Sequence, residues 1–199
     1  MTKLAIAALS TFLLGSLGAG EAMALHPART KLLLHTTREI TPEFSMGAHF
    51  LPASDLAAGD LSRIKPMVYL GADFKVASWL TLSPFTGWVF KDDIPLFGVW
   101  IYLPVDWFWA LEHIEVRPEK NFYYFMTNLQ ANIVGKWLCV GVEQESWFFS
   151  DNDALTSNGV GPNLLFRFGD ARLDLAFHFR DKATGGFDGE FYARFHAYF

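Results

Sequence analysis

Cysteine is nearly absent: Cys139 stands alone in 199 residues. No intramolecular disulfide can form, which excludes the small disulfide-stapled class. Its distance from the N-terminus also excludes a lipoprotein acylated on a leading cysteine. Long apolar runs are missing as well. Beyond the N-terminal segment none approaches the roughly 20 residues that a membrane-spanning helix needs. Basic clusters are missing too, and 16 Lys and Arg against 21 Asp and Glu leave a net charge of −5, which argues against nucleic acid as a partner. The G-x-S-x-G nucleophile elbow does not occur.

What the chain does have is hydrophobicity spread thinly. It is 51% hydrophobic and 17% aromatic, with a mean hydropathy of +0.18, which suits one domain and is high for a protein without an apolar helix. The clearest stretch is the last, FDGEFYARFHAYF from Phe187 to Phe199. Phe187, Gly189, Phe191, Ala193, Phe195, Ala197 and Phe199 fall on one side of an extended chain, and Asp188, Glu190, Tyr192, Arg194, His196 and Tyr198 on the other. Aromatic and small residues on one face with charges and phenols on the other suit a strand between lipid and a polar lumen. A strand of a soluble sandwich alternates similarly. The position of this one, closing the sequence on Phe199, favours the barrel.

A closing strand with a terminal Phe and alternating aromatics resembles the insertion signal of Gram-negative outer-membrane β-barrel proteins. The matching residues are Tyr192, Phe195, Ala197 and Phe199. The resemblance implies an outer-membrane address, with outer-membrane lipid and the barrel assembly machinery as partners. It implies no particular activity.

In chain order, residues 1–24 have a basic start at Lys3, an apolar core from Leu4 to Leu17 and the small-residue ending Ala22-Met23-Ala24, and are read as a cleaved secretory signal. Residues 25–43 are read as a periplasmic or plug segment. Within them Leu32, Leu33 and Leu34 suit a strand, a plug or an amphipathic surface piece, and Thr41-Pro42 ends it. Residues 44–199 form the barrel domain. Period-two patterning predicts ten strands there: 44–51, 66–76, 79–90, 96–103, 107–116, 122–132, 137–149, 163–168, 172–180 and 187–199. The alternation fails near Leu111 to Ile114, which predicts a bulge, and residues 150–159 are predicted as a polar loop. The expected fold is therefore an all-β, antiparallel, up-and-down transmembrane barrel of ten strands, with eight and twelve as alternatives. Short turns at Ala77, Asp106, Gly135 and Gly169 fall at one end and longer connections at the other, as in membrane barrels.

The interior of so narrow a barrel is normally filled by side chains. Asp73, Lys75, Glu143, Glu145, Arg167, Asp174, His178, Arg194 and His196 are predicted to line it, with Arg172, Arg180 and Glu190. Mutual pairing of these charges is the simpler expectation. The sharper one is a constriction, built from Glu143 and Glu145 facing Arg167, that selects a small solute. His178 and His196, on neighbouring strands, stand where they could approach one another and with Asp174 bind zinc, with paired interior residues as the simpler account. Asp151-Asn152-Asp153 lacks the spacing of a dedicated calcium loop.

Lipid A deacylases resemble the expected architecture but use a His-x-Ser pair, and none of the six histidines is followed by Ser two positions on. Ten-stranded outer-membrane proteases use rim acids and His. Asp92-Asp93 would be at the rim, without a catalytic His beside it. No catalytic residue, metal or cofactor is predicted. The expected function is a structural or narrow-pore role in the outer membrane. The alternatives are a lipid-modifying outer-membrane enzyme and a soluble periplasmic β-sandwich that binds a hydrophobic ligand.

Overall fold

A computed structural model describes residues 28–54, 65–149, 154–181 and 187–199. The expected signal segment and the Asp151-Asn152-Asp153 stretch lie outside them. Eleven strands form one closed barrel: β1 (Ala28–Thr41), β2 (Phe44–Ser54), β3 (Met67–Ala77), β4 (Leu80–Val89), β5 (Ile94–Pro104), β6 (Phe108–Arg117), β7 (Phe122–Val134), β8 (Leu138–Phe149), β9 (Ala154–Phe168), β10 (Ala171–Asp181) and β11 (Phe187–Tyr198). Each strand pairs with its sequence neighbours, and β1 and β11 close the circle. The sheet is all-β and continuous, not the two packed sheets of a sandwich.

The count corrects the ten expected. Ala28–Thr41, expected as a periplasmic or plug segment, is a strand of the wall. In an up-and-down sheet an odd number of strands makes the first and last run the same way. β1 accordingly pairs with β11 in parallel, from Ala28 opposite Phe191 to His35 opposite Tyr198. Leu32 and Leu34 pack with Ala171, Phe195 and Ala197 along this seam, so the leucine run that obscured the strand helps to hold it in place.

Two further expectations are corrected. β9 begins at Ala154 rather than beyond a loop ending at Gly159, and Gly159 and Gly161 pair with Glu145 and Glu143 of β8. β6 carries no bulge: it pairs in unbroken register with β5 and β7. Its odd residues Trp109, Leu111, His113, Glu115 and Arg117 face a cavity inside the barrel, which leaves Glu112 on the outer wall, where Thr127 Oγ1 donates to its carboxylate at 2.6 Å. The alternation holds, and the outer wall carries one carboxylate there.

The connections sort by length. Five short turns, at residues 42–43, 78–79, 105–107, 135–137 and 169–170, lie at one end, the turn end, where Phe199 also lies. Gly169 takes a φ of +57°, the left-handed geometry such a tight hairpin demands. The strand ends that residues 55–66, 90–93, 118–121, 150–153 and 182–186 join lie at the other, the loop end.

Burial follows the strand alternation. Met46, Leu70, Phe74, Val76, Phe97, Val142 and Phe179 are exposed on the outer wall, whereas Gln130, Glu143, Glu145, Asn163 and His178 are fully buried. Inside, β2 to β5 contribute an apolar cluster near the loop end: Leu51, Met67, Tyr69, Phe85, Val89, Ile94 and Leu96, with Leu33 and Trp100 against it.

Candidate functional site

The interior opposite the apolar cluster is built from charge. Five carboxylates, Glu115, Glu143, Glu145, Asp174 and Glu190, are buried, and five cations, Arg29, Lys31, Arg117, Arg180 and Arg194, pair with them. Arg194 of β11 holds both Glu143 of β8 and Asp174 of β10, the latter at 2.8 Å. Asn163 Nδ2 donates to Asp174 at 2.5 Å and to Glu143 at 3.1 Å, and Asn128 Nδ2 donates to Glu143 at 2.9 Å. His178 Nε2 lies 3.2 Å from the other Glu143 oxygen.

Beside this group, Arg29 and Arg180 clamp Glu145 and Glu190. Arg180 reaches both at 2.7 Å, and Arg29 reaches Glu190 at 2.7 Å as well as Glu145. Tyr124 donates to Glu145 at 2.8 Å and Arg180 to Ser157 at 2.9 Å. The Tyr192 ring lies 4.4 Å from the Arg29 guanidinium and 4.7 Å from that of Arg194. A third, smaller group joins Arg117, Glu115, His113 and Tyr69. Burying so many ions is tolerated because each meets an opposite charge and further hydrogen bonds.

Gly159 makes room for this packing. A Cβ at that inward position would sit 2.9 Å from the Arg180 guanidinium carbon and 3.2 Å from the His178 Cβ.

Glu143, Glu145, Asp174, His178 and Arg194, all predicted to line the interior, therefore meet in one network. Arg167 does not join it. It lies at the turn end, where its backbone N–H donates to Trp137 O at 2.8 Å, so the expected constriction of Glu143 and Glu145 against Arg167 is not formed. His178 and His196 do not meet either: His178 pairs with Glu190 across β10 and β11, and His196 with Arg172. His196 belongs instead to a histidine chain at the parallel seam. His35 Nε2 lies 2.9 Å from His196 Nδ1, and His35 Nδ1 lies 2.5 Å from His49 Nδ1. Lys75 is exposed, and Asp73 accepts from Ser45 at 3.1 Å. Of the insertion-signal residues, Tyr192 points inward, Phe195 and Ala197 pack at the seam, and Phe199 is exposed at the turn end.

Sequence reasoning missed Arg29, Lys31 and His35 because it did not read β1 as a strand. Their signal was present, since Arg29, Lys31, Leu33, His35 and Thr37 alternate with Thr30, Leu32, Leu34 and Thr36.

Chemically, the network is better suited to closing the barrel than to reacting. Glu145, His178 and Glu190 bring ligand atoms within 4.8 Å of one another. Arg29 and Arg180 already supply the positive charge that a metal would bring. Among the described residues, the histidine side chains meet histidine, arginine and carboxylate groups in their polar contacts, and none is hydrogen-bonded to a Ser or Thr hydroxyl.

The described residues also enclose cavities. One of about 160 Å3 lies among His35, His49, Trp100, His113, Tyr124 and Arg194. A larger one of about 510 Å3 lies towards the turn end. His35, His49, Tyr102, Trp109, Arg172 and Tyr198 line both, and so form the layer between them. No protein-family model, curated protein or solved structure matches this chain.

Proposed function

We propose that the chain is an outer-membrane β-barrel protein of a Gram-negative bacterium, with a structural role, a lumen closed by its own ion pairs and no covalent chemistry. One observation carries this: the barrel is inside out. Fully buried Glu143, Glu145 and His178 stand against exposed Phe74, Phe97, Phe179 and Val142, the reverse of a water-soluble fold and the arrangement that lipid favours.

Two features support the reading. Strands of ten or more residues, at about 3.3 Å rise and a tilt near 40°, span the roughly 25 Å apolar band of such barrels. Trp79, Trp107 and Trp137, in three turns of the same end, are 55%, 71% and 47% exposed, which suits an aromatic belt at a membrane surface. With short turns facing the periplasm, that surface is the inner one. A lipid-modifying enzyme is less well supported, because the histidine–carboxylate pairs are buried and already partnered.

The test is to express the chain with its leader, isolate outer membranes, and compare boiled and unboiled samples on a denaturing gel. Recovery in the outer membrane with a heat-dependent shift, and no steady conductance in planar bilayers, is the expected result. Recovery in the soluble periplasm without a shift refutes the membrane assignment, and a stable open channel refutes the closed lumen.

Glu112 offers an independent check. A carboxylate on a lipid-facing wall is costly, so Glu112→Leu is expected to stabilise the folded barrel in lipid vesicles by on the order of 1 kcal/mol, read as a higher urea midpoint. A lower midpoint would mean that this wall faces water or protein.

A further inference from the structure

The pairing that balances the charged network stops at the turn-end cavity. Arg167 of β9 and Arg172 of β10 stand directly opposite one another in the register, a placement of like charges that destabilises a sheet unless something neutralises it. Both line the cavity, with Lys136 of the β7–β8 turn. Among the described residues no carboxylate lies within ion-pair distance of any of the three, in contrast to the five balanced cations above.

Arg167 Nη1 donates to the Lys136 carbonyl at 3.5 Å, and other donors at the cavity are unused. Arg167 Nε is buried without a hydrogen-bond partner, and so is the indole Nε1 of Trp109 on the same cavity, with the Arg167 guanidinium 5.8 Å from the Trp109 ring. Arg172 stacks on the Tyr198 ring at 4.6 Å, which leaves the edge of its guanidinium fork free of a carboxylate. Buried donors without acceptors are uncommon in folded proteins, and the natural complement of two guanidiniums, an ammonium and an indole N–H is an oxyanion. The cavity's acids, Asp73 and Asp106, come from β3 and the β5–β6 turn and form no ion pair with the three cations.

We propose that the turn-end cavity is a binding site for a small multivalent oxyanion, a phosphate or a dicarboxylate, held between Arg167 and Arg172 with Lys136 and Trp109 completing the contacts. The cavity of about 510 Å3 has room for a molecule of that size with water. The site stands whether or not the barrel resides in a membrane, so its failure and that of the membrane assignment are separable.

The test is calorimetric titration of the folded full-length barrel in detergent with inorganic phosphate and, separately, with succinate, while the indole N–H resonance of Trp109 is followed. Saturable binding of at least one, with a shift of that resonance, is expected, and whichever anion binds more tightly identifies the source. Arg167→Gln with Arg172→Gln should weaken binding by about tenfold or more, once a heat-dependent gel shift shows that the variant is folded. Lys136→Gln, in an exposed turn, should weaken it more modestly without touching the fold. Absence of saturable binding by both anions, or binding that neither variant alters, overturns the site.

Discussion

Replacing Arg194 with methionine is expected to destabilise the barrel by about 3–5 kcal/mol, the cost of removing one partner from a buried ion pair. Arg194 is 5% exposed and is the cation shared by Glu143 and Asp174. Without it, among the described residues, two carboxylates bridged by Asn163 face each other, and His178 is the remaining ion-pair partner of Glu143. Methionine preserves the length of the stem, so the loss is of charge more than of volume. The check is the urea midpoint of refolded protein in lipid vesicles. Adding Glu143→Gln and Asp174→Asn to the same chain should recover most of the loss, because a buried network replaced as a whole costs far less than one broken in half. A single substitution costing under about 1 kcal/mol, with no gain from the further two, would show that these ions are solvated like surface pairs.

The parts of the fold legible in the sequence were those where lipid-like and polar faces alternate without interruption. β11, β10, β3 and β8 declared themselves by period two, and the difference in length between turns and loops correctly separated the two ends. What misled was local chemistry serving a distant partner. Gly159 closed the expected polar loop, and Gly161 and Pro162 fell before the expected strand at 163, yet all three lie within β9, and Gly159 is small because the Arg180 side chain of the next strand fills the space beside it. Glu112 looked like a break in pattern because a carboxylate was not expected on the outer wall, whereas Thr127 of the adjoining strand partners it there.

For the interior, inward direction was readable and grouping was not. Parity places Glu143, Asp174, His178 and Arg194 on the inner face of their strands. Which of them meet depends on the stagger between strands, and stagger is set by pairing. The offset that brings Arg194 opposite both Asp174 and Lys31 leaves Arg167 and Arg172 together at the turn end. The same parity would have flagged Arg29 and Lys31, had three consecutive leucines not outweighed it.

The sharpest consequence of the fold concerns β1. Refolded from denaturant, a chain spanning residues 44–199 is expected to lose the compact heat-modifiable form that a chain spanning residues 28–199 attains. Ten strands alone could in principle close antiparallel, β2 against β11, and patterning by itself would have predicted that they do. β1 supplies more than hydrogen bonds. Arg29 carries the charge opposing Glu145 and Glu190, Lys31 adds a second cation 4.0 Å from Glu145, and Leu32 and Leu34 pack on Phe195 and Ala197. Without them Glu190 of β11 keeps Arg180 at 2.7 Å and His178 at 3.9 Å, and the barrel must narrow by one strand around the packed charge network. Overpacked interiors are destabilised, and the unpaired edge of β11 invites association between chains. Aggregation on the gel, with β-signal in circular dichroism but no heat-dependent shift, is therefore the expected outcome. A shortened chain that folds to a shifted, protease-resistant band would show that the ten-stranded closure is available to this sequence and that the parallel seam is dispensable.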